Sequence, residues 1–210
     1  MRIDEARSEV LTAFVARAGT DGWSDRCLRA AAAEVGADLA AVAFPRGLAD
    51  LTRHFIERAD SRAAEALAEH DLEAMRVRER IAAAVRLRLV EHAEHKPALR
   101  ALVTVLARPR LAALGARALW GSVSALWYAV GDTSTDFSFY SKRALLGGVY
   151  ATTLLYWLDD ESADSAVTWR FLDDRIAEIM GIQRLRGRVD SVLARRPFAG
   201  RTHHQAPSKA

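Results

Sequence analysis

Apolar residues recur at helical spacing along most of this chain, and that period limits its folds more than any other feature. Over residues 48–67, Leu51, Phe55, Ala59 and Ala63 fall on one face of a helix. Alternating β-branched residues, which would indicate strands, are hard to find, and only 12 Gly and 5 Pro interrupt the 210 residues. A hydrophobic content of 50% suits one domain with a sizeable core. We therefore predict an all-α fold.

Short polar or glycine-containing breaks divide the chain into helical segments. Ser24 is a predicted N-cap, and Gly36 is expected to end the short helix that follows it. Thr135 or Asp136 is expected to cap a later helix that runs to Leu158. The other helices are predicted over residues 3–14, 37–44, 48–67, 75–94, 98–106, 111–129 and 164–180, with a last one from residue 182.

The net charge of +3 hides a strongly basic C-terminal segment. From residue 182 onwards there are seven Lys and Arg against one Asp, so this segment carries +6 and residues 1–181 carry −3. Its apolar residues share one helical face and its arginines occupy the others: Ile182, Leu185, Val189, Val192 and Leu193, with Arg184, Arg188, Arg195 and Arg196. A basic amphipathic helix over residues 182–200 is typical of contact with an anionic membrane surface. Two alternatives to membrane contact are that this helix docks on the acidic body of the protein or that it is a tail that binds nucleic acid. Residues 201–210, which follow it, are predicted to be disordered.

The first 47 residues resemble the DNA-binding unit of TetR-type regulators. The resemblance is carried by Trp23-Ser24, the alanines of residues 30–33, Gly36 and residues 44–47. In that family a three-helix unit precedes a larger helical ligand domain, which the resemblance implies here for residues 48–181. The segment that would read DNA, residues 37–44, offers methyl groups and one carboxylate, whereas phosphates and base edges need hydrogen-bond donors. We therefore predict a helix-turn-helix-like unit, residues 1–47, without specific DNA binding.

A second resemblance rests on the segment from Gly131 to Leu146. It reads Gly-Asp-Thr-Ser-Thr-Asp-Phe-Ser-Phe-Tyr-Ser-Lys-Arg-Ala-Leu-Leu. This string is similar to the signature of the COQ9 family, which is close to Gly-Asp-x-Ser-Thr-Asp-Phe-x-x-Tyr-x-x-Arg-x-x-Leu. Further matches at residues 22–23, 150–153 and 168–172 extend the resemblance from about residue 22 to about residue 180. The family comprises accessory proteins of ubiquinone biosynthesis with a TetR-like fold.

The resemblance implies a partner-binding patch around this segment, for the di-iron hydroxylase of ubiquinone synthesis. The residues implied are Trp127, Asp136, Phe139, Tyr140, Lys142 and Arg143. The family usually has Trp at the position of Phe139, so the shape of this contact is expected to differ here. The segment contains three aromatic residues within four positions: Phe137, Phe139 and Tyr140. On a helix these cannot all face one core, so at least one of them is expected to be exposed.

Two apolar helices are predicted to enclose a lipid pocket. Residues 111–129 are apolar beyond a single stripe, and Gly147-Gly148 allows close approach or local opening of the next helix. The predicted lining residues are Leu114, Leu119, Trp120, Val123 and Leu126 on the first helix and Leu145, Leu146, Val149, Leu154 and Trp157 on the second. An ordinary packed core is the alternative. The resemblance to both families implies a hydrophobic cavity here.

Residues that carry chemistry are scarce. Cys27 is the single cysteine and lies among helix-forming residues, so we predict a buried structural thiol. His92 and His95 are three positions apart, but no second pair completes a metal site, so a solvated helix end is expected. No glycine-rich phosphate loop and no GxSxG motif is present. We predict no catalytic residue, no metal and no cofactor, apart from a bound isoprenoid or phospholipid.

These features together predict a non-catalytic accessory protein of ubiquinone biosynthesis that binds lipid. It would present an isoprenoid quinone precursor, at the membrane, to a hydroxylase of the pathway. A TetR-type ligand-responsive regulator is the alternative, an enzyme acting on the quinone ring is a third, and homodimerisation is left open. No signal core, transit peptide or membrane-spanning run is recognisable. The expected location is therefore the cytoplasm of a bacterial-type cell, peripheral on the inner face of the cytoplasmic membrane.

Overall fold

The computed structural model describes residues 3–131 and 137–194, with the backbone alone for residues 137–139 and 181–194. Within these residues the chain forms nine α-helices, two 3-10 helices and no strand. The α-helices are α1 (Ile3–Asp21), α2 (Asp25–Val35), α3 (Ala37–Ala43), α4 (Leu48–Ala68), α5 (Val77–Val90), α6 (Lys96–Leu106), α7 (Ala112–Ala129), α8 (Phe137–Asp159) and α9 (Ala166–Ala194). The 3-10 helices are Ala93–His95 and Ala163–Ser165. The predicted all-α fold is confirmed.

Both ends of α2 have the predicted cap geometry. The Ser24 Oγ accepts a hydrogen bond from the Cys27 N–H at 3.2 Å, which stabilises the start of the helix. Gly36 follows the helix with a φ of 112°, a conformation that a side chain would oppose. Its N–H donates to the Ala32 carbonyl at 2.9 Å. The cap expected at Thr135 or Asp136 lies outside the described residues.

Other helix boundaries differ from the predicted ones. α5 ends at Val90, four residues earlier than expected, and a turn leads from it into the 3-10 helix Ala93–His95. Pro97 lies in the first turn of α6, where its missing N–H would have no helical partner in any case. α9 continues to Ala194, so the segment from residue 182 extends α9 and is not a separate helix.

An aromatic cluster joins the N-terminal unit to the rest of the chain. The Trp23 ring lies between Phe14 of α1 and Phe55 of α4, with ring centroids 4.8 and 5.0 Å apart. The Trp23 Nε1 donates a hydrogen bond to the Thr52 Oγ1 at 2.8 Å. Cys27 is fully buried beside this cluster, and burial raises the pKa of its thiol, as expected of a structural cysteine. α1 to α4 therefore share one continuous core.

A buried polar cluster ties α4 to α5 and α7. The Asp60 carboxylate accepts hydrogen bonds from the Arg88 Nε at 2.5 Å and from the Ser122 Oγ at 3.0 Å. Arg88 and Ser122 are both buried. A buried charge pair of this kind has to form in one arrangement, because each partner would otherwise lie desolvated without its counter-charge. The cluster thus defines how these three helices align.

Among the helices of the described residues, none combines the length and the apolar content that crossing a bilayer requires.

Gly19→Ala is expected to lower the free energy of unfolding by about 1–3 kcal/mol, because α1 and α6 approach closely at this glycine. A Cβ at position 19 would lie 2.7 Å from the Cβ of Pro97, whose ring cannot turn away. Gly121→Ala is the matched control: nothing lies within 4 Å of a Cβ there, so alanine should stabilise α7 by about 0.5–1 kcal/mol. Urea unfolding measures both changes, and the same effect at the two sites would contradict the close approach.

Candidate ligand cavity

A cavity with a volume of about 400 Å³ lies among α5, α7, α8 and α9. This volume is within the ~300–1,000 Å³ that is typical of small-molecule sites. Its walls are apolar except for the side chains of Arg80 and Lys142. The lining residues are Val77, Arg80 and Ile81 of α5; Trp127 of α7, with Val130 and Gly131 after it; Lys142, Leu145, Leu146 and Val149 of α8; and Ile176, Ile179 and Met180 of α9.

Helical spacing explains why each helix turns an apolar stripe to this cavity. Val77 and Ile81 are four positions apart on α5. Ile176 and Met180 have the same spacing on α9, with Ile179 between them. Residues three and four apart lie on the same face of a helix, so these side chains converge on one space. Stripes on α5, α8 and α9, together with Trp127 near the end of α7, thus form the cavity.

The structure places the predicted lipid-binding residues in three different environments. Leu145, Leu146 and Val149 line the cavity. Val123, Leu126 and Trp157 are buried in the core without lining it, and Leu119 and Leu154 are half-buried. Leu114 and Trp120 are exposed on α7. The walls from α5 and α9 were not predicted, although the stripe Ile176, Ile179 and Met180 is recognisable in the sequence.

The residues predicted to bind a partner protein are not all on one surface. Tyr140 is 64% exposed and its ring stacks on that of Trp120, with centroids 6.2 Å apart. Arg143 is buried, and its guanidinium lies 5.1 Å from the centroid of the Tyr128 ring. Lys142 is half-buried at the cavity. Asp136 lies outside the described residues, and for Phe139 only the backbone, on α8, is described.

Trp127 faces the cavity, although it was predicted to bind a partner. It is 7% exposed, and its indole N–H has no hydrogen-bond partner among the described residues. A buried Trp N–H is usually paired, because leaving it unpaired costs about 1–3 kcal/mol. Because this N–H is itself buried, Trp127 contributes its apolar ring to the cavity wall and no accessible donor.

The predicted membrane-binding residues fall where side chains are not described. Ile182, Arg184, Leu185, Arg188, Val189, Val192 and Leu193 lie on the backbone of α9, and Arg195 and Arg196 lie outside the described residues. The predicted domain boundaries at residues 181 and 200 lie in the same region. The face that this part of α9 presents stays a prediction.

Two other predicted features concern α3 and the histidines. The exposed side chains of α3 are those of Ala37, Asp38, Ala41 and Val42, which bring methyl groups and one carboxylate to the surface. Within the part of the chain that the structure describes, no three or more His, Cys, Asp or Glu side chains are grouped so that they could hold a metal ion. The expectation that His92 lies at a solvated helix end is wrong. It is 2% exposed, because α5 ends early and the following turn brings its ring onto Phe55.

The helical architecture is similar to that of a solved structure. This structure is that of the TetR transcriptional regulator from Nitrosomonas europaea ATCC 19718, with a TM-score of 0.66. The alignment covers 82% of this chain and 96% of that one, at 19% sequence identity, so the similarity is one of fold alone. The predicted TetR-like fold is confirmed.

The sequence comparisons identify the family. Residues 112–183, which include most of the cavity walls, match the family model described as COQ9. The chain is 31% identical over 190 residues to the Ubiquinone biosynthesis protein COQ9, mitochondrial, of Rattus norvegicus, covering 85% of this chain and 60% of that protein. The Homo sapiens protein of the same name is 30% identical over 190 residues, covering 85% and 59%. The family predicted from residues 131–146 is confirmed: this chain carries a COQ9 region, and it spans about 60% of the length of these relatives.

The predicted location is contradicted by these comparisons. We expected a bacterial-type protein in the cytoplasm, on the inner face of the cytoplasmic membrane, because no transit peptide is recognisable. The relatives from Rattus norvegicus, Bos taurus, Homo sapiens and Drosophila melanogaster are all named as mitochondrial proteins. The sequence argument was unsound since the chain corresponds to only part of those relatives, so its start carries no information about targeting.

Proposed function

We propose that this chain is a non-catalytic accessory protein of ubiquinone biosynthesis that binds an isoprenoid quinone precursor. The cavity would hold the ligand, and a hydroxylase of the pathway would receive it at a membrane surface. The observation that carries this proposal is an apolar cavity of about 400 Å³ in the COQ9 region. The relatives named above are ubiquinone biosynthesis proteins, which supports the pathway.

The chemistry of the cavity walls suits a prenylated aromatic ring. Leu145, Leu146 and Val149 can cover an isoprenoid chain, whose burial contributes about 0.8 kcal/mol for each CH₂ removed from water. The indole ring of Trp127 can pack against an aromatic head. Arg80 and Lys142 bring positive charge to the same cavity, which favours an oxygen-bearing head over a plain hydrocarbon.

The surface of α7 and α8 supports the proposed transfer to a hydroxylase. Trp120 and Tyr140 are both exposed and stacked on each other, and Tyr128 is exposed over Arg143. Exposed aromatic side chains next to a cation are enriched at protein interfaces. This surface adjoins the cavity through Lys142 and Leu145, so a docked enzyme would lie next to a bound head group.

Leu145→Trp is expected to reduce the isoprenoid that copurifies with the protein several-fold. Leu145 lines the cavity and is 38% exposed, so a larger indole can enter the cavity without displacing the core. The control is Leu155→Trp, the same substitution on α8 at a site that is 54% exposed and does not line the cavity. Lipid extraction and mass spectrometry, normalised to folded protein, measure the recovery.

Two results would count against the proposal. Recovery of no isoprenoid from the wild-type protein, even from overexpressing cells, would remove the ligand. Equal recovery from both tryptophan variants would mean that lipid is bound elsewhere on the protein.

A further inference from the structure

A second, smaller cavity lies between α1, α4 and the turn after α5, and it shares no lining residue with the apolar cavity. Its volume is about 90 Å³. A water molecule has a share of about 30 Å³ in the liquid, so this space fits a small polar group and excludes a lipid chain. It reaches the surface beside the exposed side chains of Thr12, Arg62 and His95. The cavity is therefore accessible from solvent.

His92 forms the buried wall of this cavity and has an unmet hydrogen-bonding capacity. Its ring stacks on that of Phe55, with centroids 4.5 Å apart, and only 2% of the residue is exposed. Neither ring nitrogen has a hydrogen-bond partner among the described residues. Burial, and then the neighbouring Arg88 and His95, lower the pKa of His92 to about 2. The imidazole is therefore neutral, and because both ring nitrogens are buried, the ring closes the inner end of the cavity without offering a hydrogen-bond donor to it.

Two arginines of α4 bring positive charge to the same cavity. Arg58 is half-buried and makes no hydrogen bond or ion pair to any described residue. Burial, followed by repulsion from Arg62, lowers the pKa of Arg58, against the opposing attraction of Glu91. Arg62 pairs with Glu91 at 3.3 Å, the single carboxylate of the lining. The lining therefore carries two guanidinium groups against one carboxylate.

We propose that this second cavity binds a phosphate-type oxyanion between the Arg58 and Arg62 guanidinium groups, with the neutral ring of His92 closing its inner end. Guanidinium groups bind phosphate through charge-assisted hydrogen bonds in a fixed fork geometry. The neutral His92 ring adds no charge of its own to the site. A bound cation is disfavoured because the arginines would repel it. This site is separate from the apolar cavity and does not depend on lipid binding.

The proposal predicts saturable stabilisation by inorganic phosphate, through its selective binding to the folded protein. The full chain is titrated at constant ionic strength, and the shift in Tm and the line width of the ³¹P resonance are followed together. Arg58→Gln is expected to weaken the apparent affinity about tenfold or more, as loss of a charge-assisted hydrogen bond does. Arg53→Gln is the control, because it removes the same charge from α4 at a residue that does not line the cavity.

His92→Phe tests the buried wall. Phenylalanine keeps the stacking on Phe55 and removes both ring nitrogens, which are buried out of reach of the cavity, so we expect a folded protein with unchanged phosphate affinity. Glycerol 3-phosphate, titrated in competition, distinguishes the sources of the oxyanion. Competition indicates the phosphate of a larger molecule such as a lipid head group, and its absence indicates free phosphate.

Three outcomes would overturn the proposal. The first is a wild-type protein whose Tm and ³¹P line width do not respond to phosphate. The second is an equal response from Arg58→Gln and Arg53→Gln, which would indicate unspecific attraction of anions to a basic surface. The third is a tenfold loss of affinity in His92→Phe, which would mean that the anion binds at the His92 ring and not between the two arginines.

Discussion

Asp60→Ala is expected to lower the free energy of unfolding by about 3–5 kcal/mol, because it removes one partner of a buried ion pair. Arg88 is 3% exposed, and the Asp60 carboxylate is its counter-charge at 2.5 Å. Arg88 makes a second, longer hydrogen bond from its Nη2 to the Ile56 carbonyl, at 3.4 Å. Without Asp60 the guanidinium would remain desolvated between α4 and α5. Ser122 would lose its acceptor at the same time.

The control for this substitution is Asp173→Ala, which breaks a second ion pair to α5. Asp173 accepts from Arg86, two residues before Arg88, at 2.6 Å, but both side chains are exposed. Exposed pairs contribute about 0–1 kcal/mol, since water solvates the ions when they separate. Chemical unfolding of the two variants compares burial at nearly constant geometry. Losses of similar size would mean that Asp60 and Arg88 are solvated in the protein.

Trp157→Ala is expected to cost about 3–5 kcal/mol of stability, as truncation of a buried tryptophan does. Trp157 is 1% exposed, and the Lys96 Nζ lies 4.3 Å from its ring centroid. The same Nζ donates to the Asp160 carbonyl at 3.1 Å. Removing the ring would leave a cavity between α6 and α8 and take away the cation–π contact.

Trp157 also separates a core residue from a ligand-binding residue. It was predicted to bind lipid, yet it does not line the apolar cavity. Leu155→Ala, on the exposed side of α8, should change stability by less than about 0.5 kcal/mol and serves as the control. Thermal unfolding of both variants tests this. A Trp157→Ala variant as stable as the control would show that the ring is not part of the core.

The elements predicted well are those for which neighbouring residues contain all the information. The stripe Leu51, Phe55, Ala59 and Ala63 is buried as its spacing predicts, and α4 begins at the predicted residue. Ser24 caps α2 because its side chain reaches an N–H three residues away, and Gly36 ends α2 with a positive φ. Such features depend on local geometry and need no knowledge of the fold.

The candidate sites were harder to predict because side chains from distant segments form them. Trp127 and Leu145 were expected in different sites, one for a partner and one for lipid, and they line the same cavity. His92 was assigned to a solvated helix end, because nothing near it in sequence shows that Phe55 would cover its ring. Periodicity marks which residues are apolar, but not which helix each stripe faces.

Amino-acid order over a few helical turns determines the all-helical class and the caps of α2. The same local order, in residues 131–146, is enough to recognise the family. Only the packing of the helices decides that α5 and α9 wall the apolar cavity together with α8. Packing also brings Asp60 to Arg88, and Arg58 and His92 to one small cavity. The physical reason is that helix formation depends on hydrogen bonds four residues apart, whereas burial depends on neighbours tens of residues away in the chain.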